Sequence, residues 1–143
     1  MEHLQHWINN LMNSLESETE KELSNKIIEN CGRVCAKECG ATNEVKKIIT
    51  SLNDHNDIDI ILERMNLAGI GGGKLHRIDN HIYGIYETCY CPSRNLINNT
   101  SFCNCTKGWL KEVFEDILGK TIDVKLEQTI AQGDSMCKFQ ISY

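Results

Sequence analysis

The residues of this chain best suited to chemistry are its eight cysteines, four of which form two Cys-x-Cys pairs. Cys89 and Cys91 precede Pro92, the only proline, while Cys103 and Cys105 follow a polar loop, so the pairs face each other across residues 92–102. Four soft thiolates suit a tetrahedral zinc ion or an iron–sulfur cluster. A loop this polar has little apolar surface to bury, and metal binding would supply folding free energy that it otherwise lacks. Unligated thiols are the plain alternative, and the spacing is not the usual Cys-x2-Cys knuckle.

The same residues suggest a second chemistry. Cys105 falls at or just before the expected start of a helix, where unpaired amide hydrogens favour thiolate, the nucleophilic form. With His81 or His76 as base it would make a cysteine-dependent enzyme, and with a neighbouring thiol a redox pair. No spacing in the sequence sets that geometry. Cys31, Cys35 and Cys39 recur at i, i+4 and i+8 along one side of a helix. They read either as small apolar core residues or as partners of the loop, with Arg33 and Lys37 at hand to stabilise thiolate.

Composition narrows the setting. A chain of 143 residues is long enough to close one core without disulfides. The N-terminus lacks the basic start and apolar run of a secretion signal, and no apolar stretch approaches a membrane span, so a cytoplasmic protein with no membrane partner is expected. Free or ligated thiols are then favoured over a disulfide framework. A net charge of −5 without a basic block, and an aromatic share of 6%, argue against nucleic acid. Richness in Asn, Ile and Lys suggests a bacterial source.

Apolar periodicity predicts the elements that position the cysteines. Leu4, Ile8, Leu11, Met12 and Leu15 mark a helix over residues 2–15. Ser17 and Glu20 fit a capping box for a second helix, whose stripe runs through Leu23, Ile27, Cys31 and Val34 to a stop at Gly40. Two shorter helices follow, one opened by Thr42, the other capped at Asn53-Asp54 and carrying Ile58, Ile61, Leu62 and Met65. The glycine run 69–73 reads as a flexible hinge rather than a phosphate loop, because a helix precedes it and strands follow. Strands are expected at 74–78 and 81–90 around an Asp79-Asn80 turn, placing Cys89 and Cys91 on one strand face about 7 Å apart. A helix from Thr106 to a Gly119 cap leads to strands at 121–130 and 136–143, with Cys137 in the apolar row of Phe139 and Ile141. The fold class is therefore α+β: N-terminal helices followed by a four-stranded antiparallel ββαββ sheet unit. It is read as a single domain, 1–143, with a helical half (1–68) and a ββαββ half (74–143) that carries the cysteine loop 89–105.

The runs Cys105-Thr-Lys-Gly-Trp-Leu, Ile117-Leu-Gly-Lys, Ile122-Asp-Val and Gly133-Asp-Ser-Met-Cys-Lys-Phe-Gln-Ile resemble the C-terminal half of the 4-vinyl reductase, or hydrocarbon-binding, domain family, over about the last 60 residues. The resemblance implies an α+β, sensory-type domain that binds a small apolar or aromatic molecule. It also implies a structural zinc held by cysteines and an acidic residue near the ligand pocket. On that likeness Cys137 matches the family's final cysteine and Glu127 approximates its acidic position. Thr129 stands where zinc-binding members carry a further cysteine. The two Cys-x-Cys pairs would make up the missing ligands, giving a metal set of Cys89, Cys91, Cys103, Cys105 and Cys137, with zinc as first choice and an iron–sulfur cluster as second. The sequence does not decide between a monomer and a homodimer.

Overall fold

The computed structural model describes residues 2–91 and 93–143. Among these, helices α1 (Glu2–Glu18), α2 (Lys21–Glu38), α3 (Ala41–Thr50) and α4 (Ile58–Leu67) precede strands β1 (His76–Ile78) and β2 (His81–Tyr86). Helix α5 (Asn104–Leu118) then leads to β3 (Asp123–Gln128) and β4 (Cys137–Ser142). The expected α+β class and ββαββ order are both present. The strands make one antiparallel sheet in the order β1-β2-β4-β3. Alternation puts Ile82, Val124, Phe139 and Ile141 on its covered face. They meet Val45, Ile61, Met65 and Phe114 from the helices in one apolar cluster. Each such side chain contributes about 1.5–3 kcal/mol by leaving water. Gly84 lets the sheet close, because a Cβ there would lie 2.0 Å from the ring of Phe139.

The helical faces differ from the periodicity reading. Helix α2 buries Ser24, Ile28, Gly32 and Ala36, while Leu23 and Val34 are exposed. The buried row is turned by one residue from the apolar stripe because α2 meets α5 backbone to backbone, a contact that only small residues allow. On α1 only Met12 is buried, and Leu4, Trp7 and Leu11 face outward. The capping box is not formed: α1 runs on to Glu18, and α2 starts after Glu20 without a side-chain cap. The cap of α4 is Asp57, which accepts from the Ile60 amide at 3.2 Å, three residues later than expected.

The glycine run is not a free hinge. It forms a 3-10 turn at Ile70–Gly72, and the Asn66 side chain spans it, accepting from Leu75 N–H at 2.7 Å and donating to Leu75 C=O at 2.8 Å. Strand β2 ends at Tyr86, short of Cys89, because Cys137 is the last β4 residue that can pair with it. Pro92, expected to end that strand, lies outside the described residues.

Candidate cysteine site

From Tyr86 the chain leaves the sheet, so Cys89 and Cys91 stand in irregular backbone and not on one strand face. Side chains of α1 hold the far side of the loop. Asn9 donates to Leu96 C=O at 2.8 Å and accepts from Asn98 N–H at 2.9 Å, replacing the pairing that a strand would give. Ser101 donates to Glu16. Asn99 accepts from Ser101 N–H at 2.8 Å and opens the 3-10 turn Thr100–Cys103, which runs directly into α5.

The start of α5 lies on α2. A Cβ on Gly32 would fall 1.8 Å from the Cys105 carbonyl oxygen, and one on Gly108 would fall 1.7 Å from that of Glu29. The two helices run side by side in the same direction. Asn104 donates to Asn25 at 3.0 Å, Lys111 pairs with Glu29 at 2.9 Å, and Arg33 donates to Glu112 and Glu115 at 3.0 Å each. Lys37 also reaches Glu112, at 3.2 Å. Arg33 and Lys37 are therefore engaged by carboxylates and do not serve the thiols as the sequence reading supposed.

The five cysteines read as metal ligands form one connected neighbourhood, in which Cys91 is in reach of both Cys103 and Cys105. The half-buried Cys103 lies within electrostatic reach of Cys137, Cys89 and Cys91; burial first, and then those thiols, push its pKa up. Cys105 is in reach of Cys35, Cys91, Cys31 and Cys103, and burial first, then Cys35, push its pKa up to about 12. Burial, then Cys39 and Cys91, raise that of Cys35. Cys105 thus sits in the first turn of α5 as expected but keeps its proton. Desolvation of the thiolate outweighs the helix N-terminus there.

On the Cys103 side the Ile130 amide donates to the Cys137 sulfur at 3.3 Å. The Thr129 hydroxyl is buried beside the Cys103 thiol without closing a well-formed hydrogen bond on it or on any other described group. Glu127, the approximate acidic counterpart, is the extra residue of a β-bulge and is exposed.

Cysteine thiols are of the ligand type that suits zinc. Among the described residues, however, no three Cys, His, Asp or Glu side chains stand close enough together to hold one ion. The single four-thiolate clamp of Cys89, Cys91, Cys103 and Cys105 is therefore not formed. Nor is a nucleophile–base pair: His81 lies at the other end of β2 from the Tyr86–Cys137 pair, roughly 16 Å along the strand, and stacks on Tyr83. His76 stacks on the same ring. The sequence reading missed Thr129 as a buried group of the site, although its place among the resemblance positions signalled it.

Residues 1–143 match a family of unknown function, DUF6144. The chain belongs to that family. No curated protein matches this DUF6144 chain. Its fold is similar to that of the phenol-responsive sensory domain of the transcription activator PoxR with phenol. The TM-score is 0.61 at 12% identity, over 96% of this chain and 73% of that one. It is also similar to a trafficking protein particle complex subunit 3 from Naegleria fowleri covalently bound to palmitic acid. There the TM-score is 0.57 at 10% identity, over 99% of this chain and 93% of that one. At these identities the likeness is one of fold. No helix among the described residues is long and apolar enough to cross a membrane.

Proposed function

We propose that this DUF6144 chain is a ligand-binding domain of the sensory type, taking a small apolar or aromatic molecule between its helices and its sheet. The observation that carries the reading is the shared fold: two domains that it matches along nearly its whole length are recorded with phenol and with palmitic acid. The 4-vinyl reductase resemblance over about the last 60 residues points the same way. The surface grooves do not suit such a ligand. One of about 290 Å3 beside α4 has Leu62 and Leu75 in its wall but is ringed by Asp59, Glu63, His76 and Arg77, and one of about 450 Å3 between α2 and α5 is lined by polar and charged residues, among them Glu22, Lys26, Arg33 and Lys111. The apolar side chains lie deeper, where Met65, Ile82, Phe114 and Phe139 meet, and in this reading the ligand would enter by parting the helical layer from the sheet.

A structural zinc at the edge of that layer would require Cys103, Cys137 and Cys89 to be drawn in to bonding distance beside the Thr129 hydroxyl, since they do not stand there in the metal-free chain. Zinc would supply no reaction there, only a fixed geometry for the loop. An iron–sulfur cluster is the alternative occupant, and a broad visible absorption would identify it.

Thermal unfolding of the reduced protein with phenol and with palmitate tests the ligand reading. A ligand at one hundred times its Kd should stabilise the fold by about 2.7 kcal/mol and raise Tm accordingly. A flat Tm across phenols, small hydrocarbons and fatty acids would refute it.

A further inference from the structure

We propose that the ligand of this domain carries one neutral hydroxyl group, and that the buried Thr129 hydroxyl receives it at the end of the sheet where the covered face turns from apolar to polar. The inference rests on the reading of a ligand between helices and sheet. Within it, the class is narrowed to phenols and alcohols, against bare hydrocarbons and carboxylates.

The sheet register carries it. On the covered face Ile82, Ile141 and Val124 make one cross-strand row, and Gly84, Phe139 and Leu126 make the next. The third row is polar. Tyr86 pairs with Cys137. The β-bulge that sets Gln128 opposite Lys138 turns the next residue, the extended Thr129, to the same face as Cys137. The Ile130 amide on the Cys137 sulfur, at 3.3 Å, keeps Thr129 beside it. The Tyr86 ring stands 5.5 Å from Phe139 and 5.8 Å from Tyr90, an aromatic wall next to that row.

Thr129 is 4% exposed, and its hydroxyl has no hydrogen-bond partner among the described residues. A buried hydroxyl without a partner is destabilising, and a ligand oxygen that supplies the partner removes that penalty on binding. A hydrocarbon would leave it unpaired, which is how a site built to hydrogen-bond a hydroxyl rejects the analogue that lacks one. The surroundings also set the charge. Burial raises the pKa of Tyr86 and, ahead of the neighbouring thiols, that of Cys103, whose thiol lies beside Thr129. Negative charge is disfavoured there, so a neutral hydroxyl fits and a carboxylate does not.

The test is calorimetric titration of the whole chain, reduced and metal-free so that no ion occupies the row, with phenol, toluene and benzoate as probes. Phenol should bind more tightly than either of the others, by about fivefold or more. Thr129→Val keeps the shape and removes the hydroxyl, so it should weaken phenol by about fivefold or more and leave toluene no weaker. Thr129→Ser keeps the hydroxyl and should retain the preference for phenol. Toluene or benzoate binding as tightly as phenol, or a phenol preference that survives in Thr129→Val, would overturn the hydroxyl proposal and leave the apolar-ligand reading standing. Binding of none of the three would overturn the proposal as well, and a flat Tm with palmitate would then take the ligand reading with it.

Discussion

Gly32 and Gly108 face each other across the α2–α5 contact, each against a carbonyl of the opposite helix. Neither position has room for a methyl group. Gly32→Ala and Gly108→Ala should each destabilise the protein by about 1–3 kcal/mol through overpacking, read as a lower urea midpoint at unchanged m-value. Since both changes push the same helices apart, the double variant should lose less than the sum. Additive losses would mean that the two contacts are independent.

The Cys105 proton gives an alkaline signature. Its thiol, ordinarily near 9.0, is raised to about 12, so between those values the native state keeps a proton that the unfolded chain has lost. Stability of the metal-free reduced protein should be at its full value below pH 9 and fall above it, by at most about 1.4 kcal/mol per pH unit from this group. Cys105→Ser should flatten that slope. An unchanged slope would place the alkaline loss elsewhere.

Asn9 fastens the cysteine loop to α1 with two hydrogen bonds. Asn9→Ala should cost about 1–3 kcal/mol and speed hydrogen exchange at the Asn98 amide. Faster proteolysis within residues 93–99, with the sheet amides still protected, would locate the effect in the loop. Uniform loss of protection would instead make α1 part of the global fold.

Substitutions at Thr129 test the proposed zinc site. Its hydroxyl is buried without a partner, so Thr129→Val should be neutral or mildly stabilising in the metal-free protein. Thr129→Cys adds a thiol next to Cys103 and should raise zinc affinity at least tenfold in competition with a chelator. Zinc affinity in both forms should climb with pH, because the metal displaces thiol protons. If Thr129→Cys leaves affinity unchanged, the Cys103–Cys137 group does not hold zinc.

The sheet half was legible because alternation of apolar residues on a half-covered sheet has a single period, and Ile82, Val124, Phe139 and Ile141 follow it. The face of α2 was not, since hydrophobic periodicity weighs side-chain size whereas Ser24, Gly32 and Ala36 are buried for lack of it. That one-residue turn leaves Cys31 and Cys35, which the sequence allowed either as core residues or as partners of the loop, exposed on the surface. The loop cysteines were visible by spacing alone. Their surroundings depend on where α2 lies, which no local pattern in the loop encodes.

The strand order β1-β2-β4-β3 sets how this protein reaches its native state. Strand β4 fills the gap between β2 and β3, and its pairing of His81 with Ser142 joins positions far apart in the chain. The β1–β2 and β3–β4 pairs are each local in sequence, and until they join through β2 and β4 each keeps a bare edge of backbone groups. Sheet closure is then a single late event of high contact order, expected to be slow and rate-limiting. Until it happens the nascent chain offers an adhesive edge to other chains, and the interval before β4 docks is when chaperone protection matters most.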